Sequence, residues 1–467
     1  MFQVPKGYIL IKKEEYEHLL STIASLTKRI EELEQQIKKN SSNSHKPPST
    51  DIYKKPVKNN RVKMGRQQGA QPGHKGTTLK LSETPDKIIP CVTEGICECG
   101  QKISEISIRN IERRQTIELP EKLIDVIEYQ VEVKKCKCGK VHEAICPQTN
   151  RIEYGKGIKS LMTYLNVQQM IPFERLQEFS KDILGINISD GVLEKSNNDC
   201  YNNLEITETQ MREAILEEEV LNVDETSIRV EKKNHWVHNY STLMLTLYFI
   251  VAKRGKEGIN EIGILNSFKN TLVHDRWASY DIYEQIEHAL CNAHLLRDLK
   301  YVHEEMHKSW AKEMSDLLLF AKDKKDKGVI TDLNYYCIER EFRRIISDAL
   351  DEEKPSKSNE LKKPGKKAKS KSENLLNVFI NRKDDIFRFI YNPLVPFDNN
   401  LSERDLRMIK LKQKISGCFR KKESAEVFCR IRSYISSCRK QGYSVYHSLK
   451  MAMHGNPIKL VPVCTRI

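Results

Sequence analysis

"EEEVLNVDETSIRV", residues 217–230, sets one acid, Asp224, in the middle of a run that otherwise reads as a β-strand. Strand side chains alternate faces, so Asp224 shares one face with Asn222 and Thr226, while Glu225 shares the other with Val223 and Leu221. The two neighbouring acids therefore cannot both point into one site. A carboxylate in a central strand is costly unless it is paired or holds a metal; the plain alternative is a satisfied buried acid. Downstream, "NHWVHNYS" and "LMLTLYFIVAKRG" read as two further strands of an antiparallel meander. "KNTLVHDRWASYD" (269–281) is a short apolar strand ending in Asp275, and "EHALCNAHLLRDL" (287–299) is a strand running into a helix. Three strands, then two that alternate with helices, is the order of a ribonuclease-H-like α/β domain. Asp275 falls at a strand end, where open sheets place ligand-facing residues.

A third acid stands far downstream in "FDNNLSERDLRMIKLKQK" (397–414). Asn400, three residues before Glu403, has the spacing of a capping box, so the bland reading of Glu403 is a helix-start signal. On a helix, however, Glu403, Arg407, Lys410 and Lys414 follow at steps of four, three and four and share a face. An acid heading a basic face suits a metal ligand whose helix continues along a DNA backbone. Asp224, Asp275 and Glu403 together make a hard oxygen set for magnesium (two ions, or manganese), able to promote attack at a phosphodiester.

The bulk numbers agree with a polyanionic partner. The chain has 467 residues, enough for roughly three domains, and a formal net charge of +14 with a pI of about 9.0. Residues 38–80 hold eleven Lys or Arg against one acid, Asp51. Rich in Pro, Gly and Ser, this stretch reads as a basic arm that tracks DNA, with Lys54, Lys55, Arg61, Lys63 and Arg66 as contacts. A second run, 354–371, carries eight Lys against Glu360 and reads as a solvated linker. The longest apolar run, "LMLTLYFIVA" (243–252), falls far short of the roughly 20 residues that span a bilayer, so no membrane association is expected. Thirteen cysteines without a secretion signal imply a reducing, cytoplasmic setting in which paired Cys are metal ligands or buried thiols.

Ahead of the arm, Tyr16, Leu19, Ile23, Leu26, Ile30, Leu33 and Ile37 recur at alternating spacings of three and four. That is a heptad seam, and it predicts a short parallel coiled coil and a homodimer. Residues 86–148 read as a small β module with "CECGQK" (97–102) and "CKCGKV" (136–141) flanking a strand in which Ile127, Tyr129, Val131 and Val133 alternate with polar residues. Cys97, Cys99, Cys136 and Cys138 are candidate ligands of one structural zinc, although each pair is Cys-x-Cys rather than the wider knuckle spacing. Cys91, His142 and Cys146 are candidate substitutes. "FERLQEFSKDILGINISDGVLEKSNN" (173–198) reads as helix, turn, helix, with the second capped near Ser189. DNA recognition and plain helical packing stand level for it.

The chain resembles the insertion-sequence-sixty-six family of bacterial transposases over almost its whole length. "NSSNSHKPPS", "GAQPGHKG", the paired-Cys module, "VDET", "HDRWASY", "CNAHLLRDL" and "DNNLSERDLR" carry the resemblance. It implies a DDE-type catalytic domain of ribonuclease-H-like fold with its triad on Asp224, Asp275 and Glu403, and a helical insertion between His294 and Glu403. His294 has a family counterpart; with Arg297 one turn later it is a candidate for orienting the scissile phosphate, against the simpler role of a capped or core histidine.

The expectation is thus a multidomain α+β chain. It comprises a coiled-coil helix (1–39), a basic linker (40–85), a zinc-finger-like β module (86–148), and a helix-turn-helix-like DNA-binding region (149–214). A ribonuclease-H-like catalytic domain (215–467) follows, with its insertion at about 300–385. The function expected is cleavage of transposon ends in double-stranded DNA and transfer of the freed 3′-hydroxyl strand to target DNA, in the cytoplasm at the nucleoid. A nuclease without strand transfer and a non-catalytic DNA-binding regulator are the alternatives.

Overall fold

The structure, a computed structural model, describes residues 11–38, 80–147, 150–328, 330–353 and 369–461. Lys54, Lys55, Arg61, Lys63 and Arg66, and most of the Lys-rich run at 354–371, lie outside the described residues. The chain divides into two compact units, Met1–Tyr53 with Ile152–Ile467, and Lys54–Arg151.

The first helix, α1 (Lys13–Lys38), opens with Glu14 and Glu15, acids that suit a helix N-terminus. Tyr16, Leu19, Ile23, Leu26, Ile30 and Leu33 of the heptad seam are all exposed; the side chain of Ile37 is not among those described.

In the Lys54–Arg151 unit, β1 (Val133–Lys135) pairs antiparallel with β2 (Val141–Glu143). The turn between them is the second Cys pair. The Cys136 N–H donates to the Lys140 carbonyl and the Gly139 N–H to the Cys136 carbonyl, both at 2.8 Å. The first pair repeats this turn, with Cys97 bonded to Gln101 (2.9 Å) and Gly100 to Cys97 (2.8 Å). Gly100 and Gly139 take φ of +84° and +90°, a region that explains why each pair ends in glycine. The strand expected over Ile127–Val133 differs: the ladder begins only at Val133, and Ile127 and Tyr129 are exposed. Apolar alternation makes a strand only where a neighbour supplies hydrogen bonds, and the partner here is three residues long.

The other unit continues with α2 (Lys156–Thr163), which runs into a π turn at Tyr164–Gln168, then α3 (Phe173–Asp182), α4 (Asp190–Asn203) and α5 (Glu205–Leu216). Strands β3 (Val220–Val230), β4 (Lys233–Ser241) and β5 (Thr246–Val251) form the meander. Helices α6 (Lys256–Ile262) and α7 (Ile264–Ser267) lead to β6 (Thr271–His274), and a turn leads to β7 (Glu287–Leu290). Next come α8 (Asn292–Met306), α9 (Ser309–Asp326), α10 (Asp332–Glu352), α11 (Lys371–Asn381) and α12 (Lys383–Tyr391). The described chain closes with α13 (Asn400–Ser416), α14 (Lys422–Lys440) and α15 (Val445–Met453).

The sheet order is β5-β4-β3-β6-β7, with β3, β4 and β5 antiparallel and β3, β6 and β7 parallel. This is the three-then-two pattern read from the sequence, with β3 at the centre. One face of β3 (Leu221, Val223) packs with Tyr240, Leu247, Phe249, Leu272 and the α6–α7 layer. The other face (Ile228, Val230) packs with Val237, Tyr248 and the apolar faces of α13 and α14. Helices α8 to α12, which span the stretch expected as an insertion at about 300–385, share a core around Trp310, Phe342, Phe379 and Phe387 that extends to Val273 and Leu290 of the sheet. Each such fully buried side chain contributes roughly 1.5–3 kcal/mol.

The helix expected to recognise DNA, α4, buries Leu193, Ser196, Asn197 and Cys200 and packs against α2, α14 and α15. Its exposed positions include Asp190 and Glu194, and exposed Lys195 is already paired with Asp199 at 3.1 Å. The other exposed side chains of α4 are Asn198, Asn202 and Asn203, so this helix offers a phosphate backbone little positive charge.

Candidate functional site

Asp224 lies at the middle of β3, where its Oδ1 accepts the Glu225 N–H at 2.9 Å. Burial, then the negative charges of Glu225, Asp275 and Glu403, raise its pKa well above the usual carboxylate range. After burial and Glu225, the charges of Asp275 and, more weakly, Glu403 oppose its ionisation. Asp275 follows β6 directly, and β6 runs parallel to β3, so both acids emerge toward the same region of the sheet. Its Oδ1 accepts the Trp277 N–H at 3.0 Å, which fixes the carboxylate at the head of the turn.

Glu225 takes the opposite face, as alternation requires, and has its own partners. Its side chain is 2% exposed, bound by Arg254 at 2.6 Å and by the Tyr280 hydroxyl at 2.7 Å. Arg254 in turn lies against the rings of Trp236 (4.8 Å) and Trp277 (4.4 Å). Glu225 is thereby a structural acid, and its Arg254 clamp braces the turn that carries Asp275.

Glu403 is delivered by stitching distant backbone together. The Asn292 N–H donates to the Phe397 carbonyl (3.1 Å), and the Asn399 N–H donates to the Cys291 sulfur (3.2 Å). Asn399 Nδ2 donates to the Val223 carbonyl at 2.7 Å, beside Asp224, and its Oδ1 accepts from Asn222 at 2.9 Å. One turn on, Asn239 donates to Ser402 Oγ at 2.8 Å. Asp405 Oδ2 then receives Ser241 (2.6 Å), Thr246 (2.9 Å) and Lys440 (2.8 Å). The capping-box reading at Asn400 is corrected here: the helix N-cap is Asn399, its side chain is spent on β3, and the Asn400 N–H instead donates to Asp398 Oδ1 at 3.1 Å. Asn399, Ser402 and Asp405 instead bind α13 to the sheet, and Glu403 is left beside His294 and Cys291. Its Oε1 is buried without a hydrogen-bond partner and lies 3.9 Å from His294 Nε2. A buried carboxylate oxygen without a hydrogen-bond partner suits a divalent cation, although among the described residues the oxygens of Asp224, Asp275 and Glu403 are not gathered within 4.8 Å as one set.

The transposase IS66 family matches residues 151–427, a stretch holding the whole five-stranded sheet and all three acids. The chain belongs to that family. Residues 9–80 also match a family of unknown function. No curated protein matches the chain.

In this transposase the remaining expected residues fall as follows. His294, on the first turn of α8, reaches Glu403, while Arg297 is half-buried one turn later. Cys291, His294 and Glu403 have ligand atoms within 4.8 Å of one another, yet burial pushes the Cys291 thiol up to about 12, so it stays protonated. On α13, Arg407 and Lys414 are exposed, whereas Lys410 is half-buried with its ammonium donating to the Ser227 carbonyl at 2.8 Å. In the Cys module, hydrogen bonds from the Cys99 and Cys138 N–H groups lower the Cys97 and Cys136 thiols respectively. Each pair thus holds one thiol of lowered pKa within a tight turn. Among the described residues, the four sulfurs are not gathered within 4.8 Å as one set. Among those residues, too, no helix is long and apolar enough to cross a membrane.

Sequence reasoning missed Asn222, Asn239, Asn399, Ser402 and Asp405. The signal was present: Asn399, Ser402 and Asp405 recur every third residue and run into buried Leu406 and Ile409, so they mark the inward stripe of α13.

Proposed function

We propose that this transposase cuts double-stranded DNA at the ends of its element and joins the freed 3′-hydroxyl to target DNA, in a ribonuclease-H-like DDE site formed by Asp224, Asp275 and Glu403. The charges of Asp275 and Glu403, which act on buried Asp224, support this most directly. Asp224, Asp275 and Glu403 would hold two magnesium or manganese ions, which supply charge neutralisation and Lewis acidity to the phosphodiester. The chain's own groups do the rest. Burial and neighbouring charge favour the protonated form of Asp224, an effect that a bound cation would offset. His294 holds Glu403 in place and, with Arg297, lies where a scissile phosphate would be oriented. Arg407 and Lys414 extend the basic face of α13 for backbone contact. In the first step water attacks the phosphorus at the element's end, and the 3′-oxygen leaves with a proton. In the second, that 3′-hydroxyl attacks a target phosphodiester and the target's own 3′-oxygen leaves.

The basic arm with Lys54, Lys55, Arg61, Lys63 and Arg66 would add DNA affinity. Cys97, Cys99, Cys136 and Cys138 would hold one zinc, for which the two matching Cys-x-Cys-Gly turns are the support. The exposed seam of α1 would pair with a second copy.

Incubation with a supercoiled plasmid carrying the cognate ends and a second target plasmid tests the reading. Joined products in magnesium, lost in Asp224→Asn, are expected. Cutting without any joined product would reduce the protein to a nuclease, and no cutting at all would leave a DNA-binding regulator.

A further inference from the structure

We propose that His274, Asp281 and His288 form a second metal site, behind Asp275, that takes a transition-metal dication of the zinc type. Their ligand atoms lie within 4.8 Å of one another. His274 ends β6, His288 sits on the adjacent β7, and Asp281 closes the turn after Tyr280. None of the three belongs to the DDE set.

The hydrogen bonds show why this cluster is unusual. His274 is fully buried, and its Nδ1 contacts the Asp275 carbonyl, which can only accept; that nitrogen therefore carries the proton. His274 Nε2 is then a lone pair, and it faces His288 Nδ1 at 3.0 Å. If His288 donates from Nδ1, its Nε2 becomes a bare acceptor, and that atom is buried with no hydrogen-bond partner. If His288 instead carries its proton on Nε2, two lone pairs meet head-on. Neither neutral tautomer meets all the demands of the pair. A dication between the facing nitrogens removes the lone-pair clash.

The donor set selects the ion. Two imidazoles and one carboxylate suit zinc or cobalt and are a poor match to magnesium, which prefers oxygen. Asp281 is exposed, and its Oδ1 accepts from Arg382 Nη1 at 2.9 Å; this is the pairing a bound ion competes with. The Nδ1–H to carbonyl bond of His274 is the outer-shell contact by which metal-bound histidines are commonly oriented. Here the carbonyl is that of Asp275, so an ion at this place would fix the backbone of a residue in the neighbouring acidic site. Three ligands leave a fourth tetrahedral position for water.

Cobalt(II) titration of the full chain tests this without DNA or activity. Cys97→Ser with Cys136→Ser first removes the module as a competing site. The expected result is tetrahedral visible bands lacking the near-ultraviolet signature of thiolate, displaced by zinc; the three acids, an oxygen set, give only weak octahedral absorption. Adding Asp281→Asn or His288→Asn is expected to weaken cobalt binding by about tenfold or more, since losing a ligand costs at least what losing an outer-shell partner does. Circular dichroism checks that each variant is folded, and exposed Asp281 keeps the test usable if His288→Asn fails to fold. The proposal is overturned if the cysteine-substituted chain shows no tetrahedral bands, if its bands carry a thiolate signature, or if a folded variant binds cobalt as tightly as its parent. Because nothing here requires phosphodiester chemistry, failure of the transposition assay leaves this outcome unaffected.

Discussion

The electrostatic burden on Asp224 has a sign that makes a prediction. Burial and the charges of Glu225, Asp275 and Glu403 raise its pKa in the folded chain. Above the unfolded carboxylate value of about 4, the metal-free folded state therefore holds more protons than the unfolded state. Stability must then fall as pH rises through that window. Asparagine stays neutral, so Asp224→Asn is expected to be more stable than the parent near neutral pH in the presence of a chelator, with the gap closing toward pH 4. Urea midpoints at several pH values measure this; a parent at least as stable throughout would contradict it. Asn399 makes a second case. Its side chain spans Val223 and Asn222, so Asn399→Ala leaves buried partners unsatisfied and is expected to cost about 1–3 kcal/mol. Cutting should suffer beyond that loss, because Glu403 is four residues away. Asp224 was legible in the sequence because an acid breaks an apolar strand. Asn399 was not, because a polar residue before a helix reads equally as a solvent-facing cap.

At the scale of elements, the strands were legible because apolar runs of that length between turns admit little else. What holds the sheet's edge was not. The edge strand β5 gives its Thr246 and Tyr248 N–H groups to Ser437 Oγ (2.8 Å) and Ser433 Oγ (2.9 Å) of α14. Side-chain oxygens one helical turn apart thus complete a ladder that would otherwise be an open edge. Serines in a helix carry no mark of this in sequence. The same helix supplies Lys440 to Asp405, an ion pair with side chains only 13% and 17% exposed. Removing one partner strands the other, so Asp405→Ala is expected to cost about 3–5 kcal/mol. Thermal unfolding reads that loss, and a cost under about 1 kcal/mol would show that α13 does not depend on this anchor. The module strand over Ile127–Val133 failed for the converse reason: its pattern was right, but the neighbouring strand that makes a ladder is set by tertiary structure.

For the whole molecule, the exposed seam of α1 sets an expectation about assembly. Ile23 and Leu26 are each 57% exposed, and a helix with such a stripe gains most of its stability from a partner. Ile23→Lys with Leu26→Lys is expected to convert a dimer to a monomer in sedimentation velocity without changing the thermal unfolding of the five-stranded domain. A parent that is already monomeric would refute the coiled coil.

The most direct test of the acidic site compares cutting of a supercoiled plasmid bearing the cognate ends by the parent, Asp224→Asn, Asp275→Asn and Glu403→Gln in magnesium. Each single change is expected to lower the rate by about a hundredfold to a thousandfold or more, comparable to losing a key transition-state electrostatic group. Folded Glu403→Gln protein that cuts at the parent's rate would contradict the assembly of one catalytic centre from these three acids.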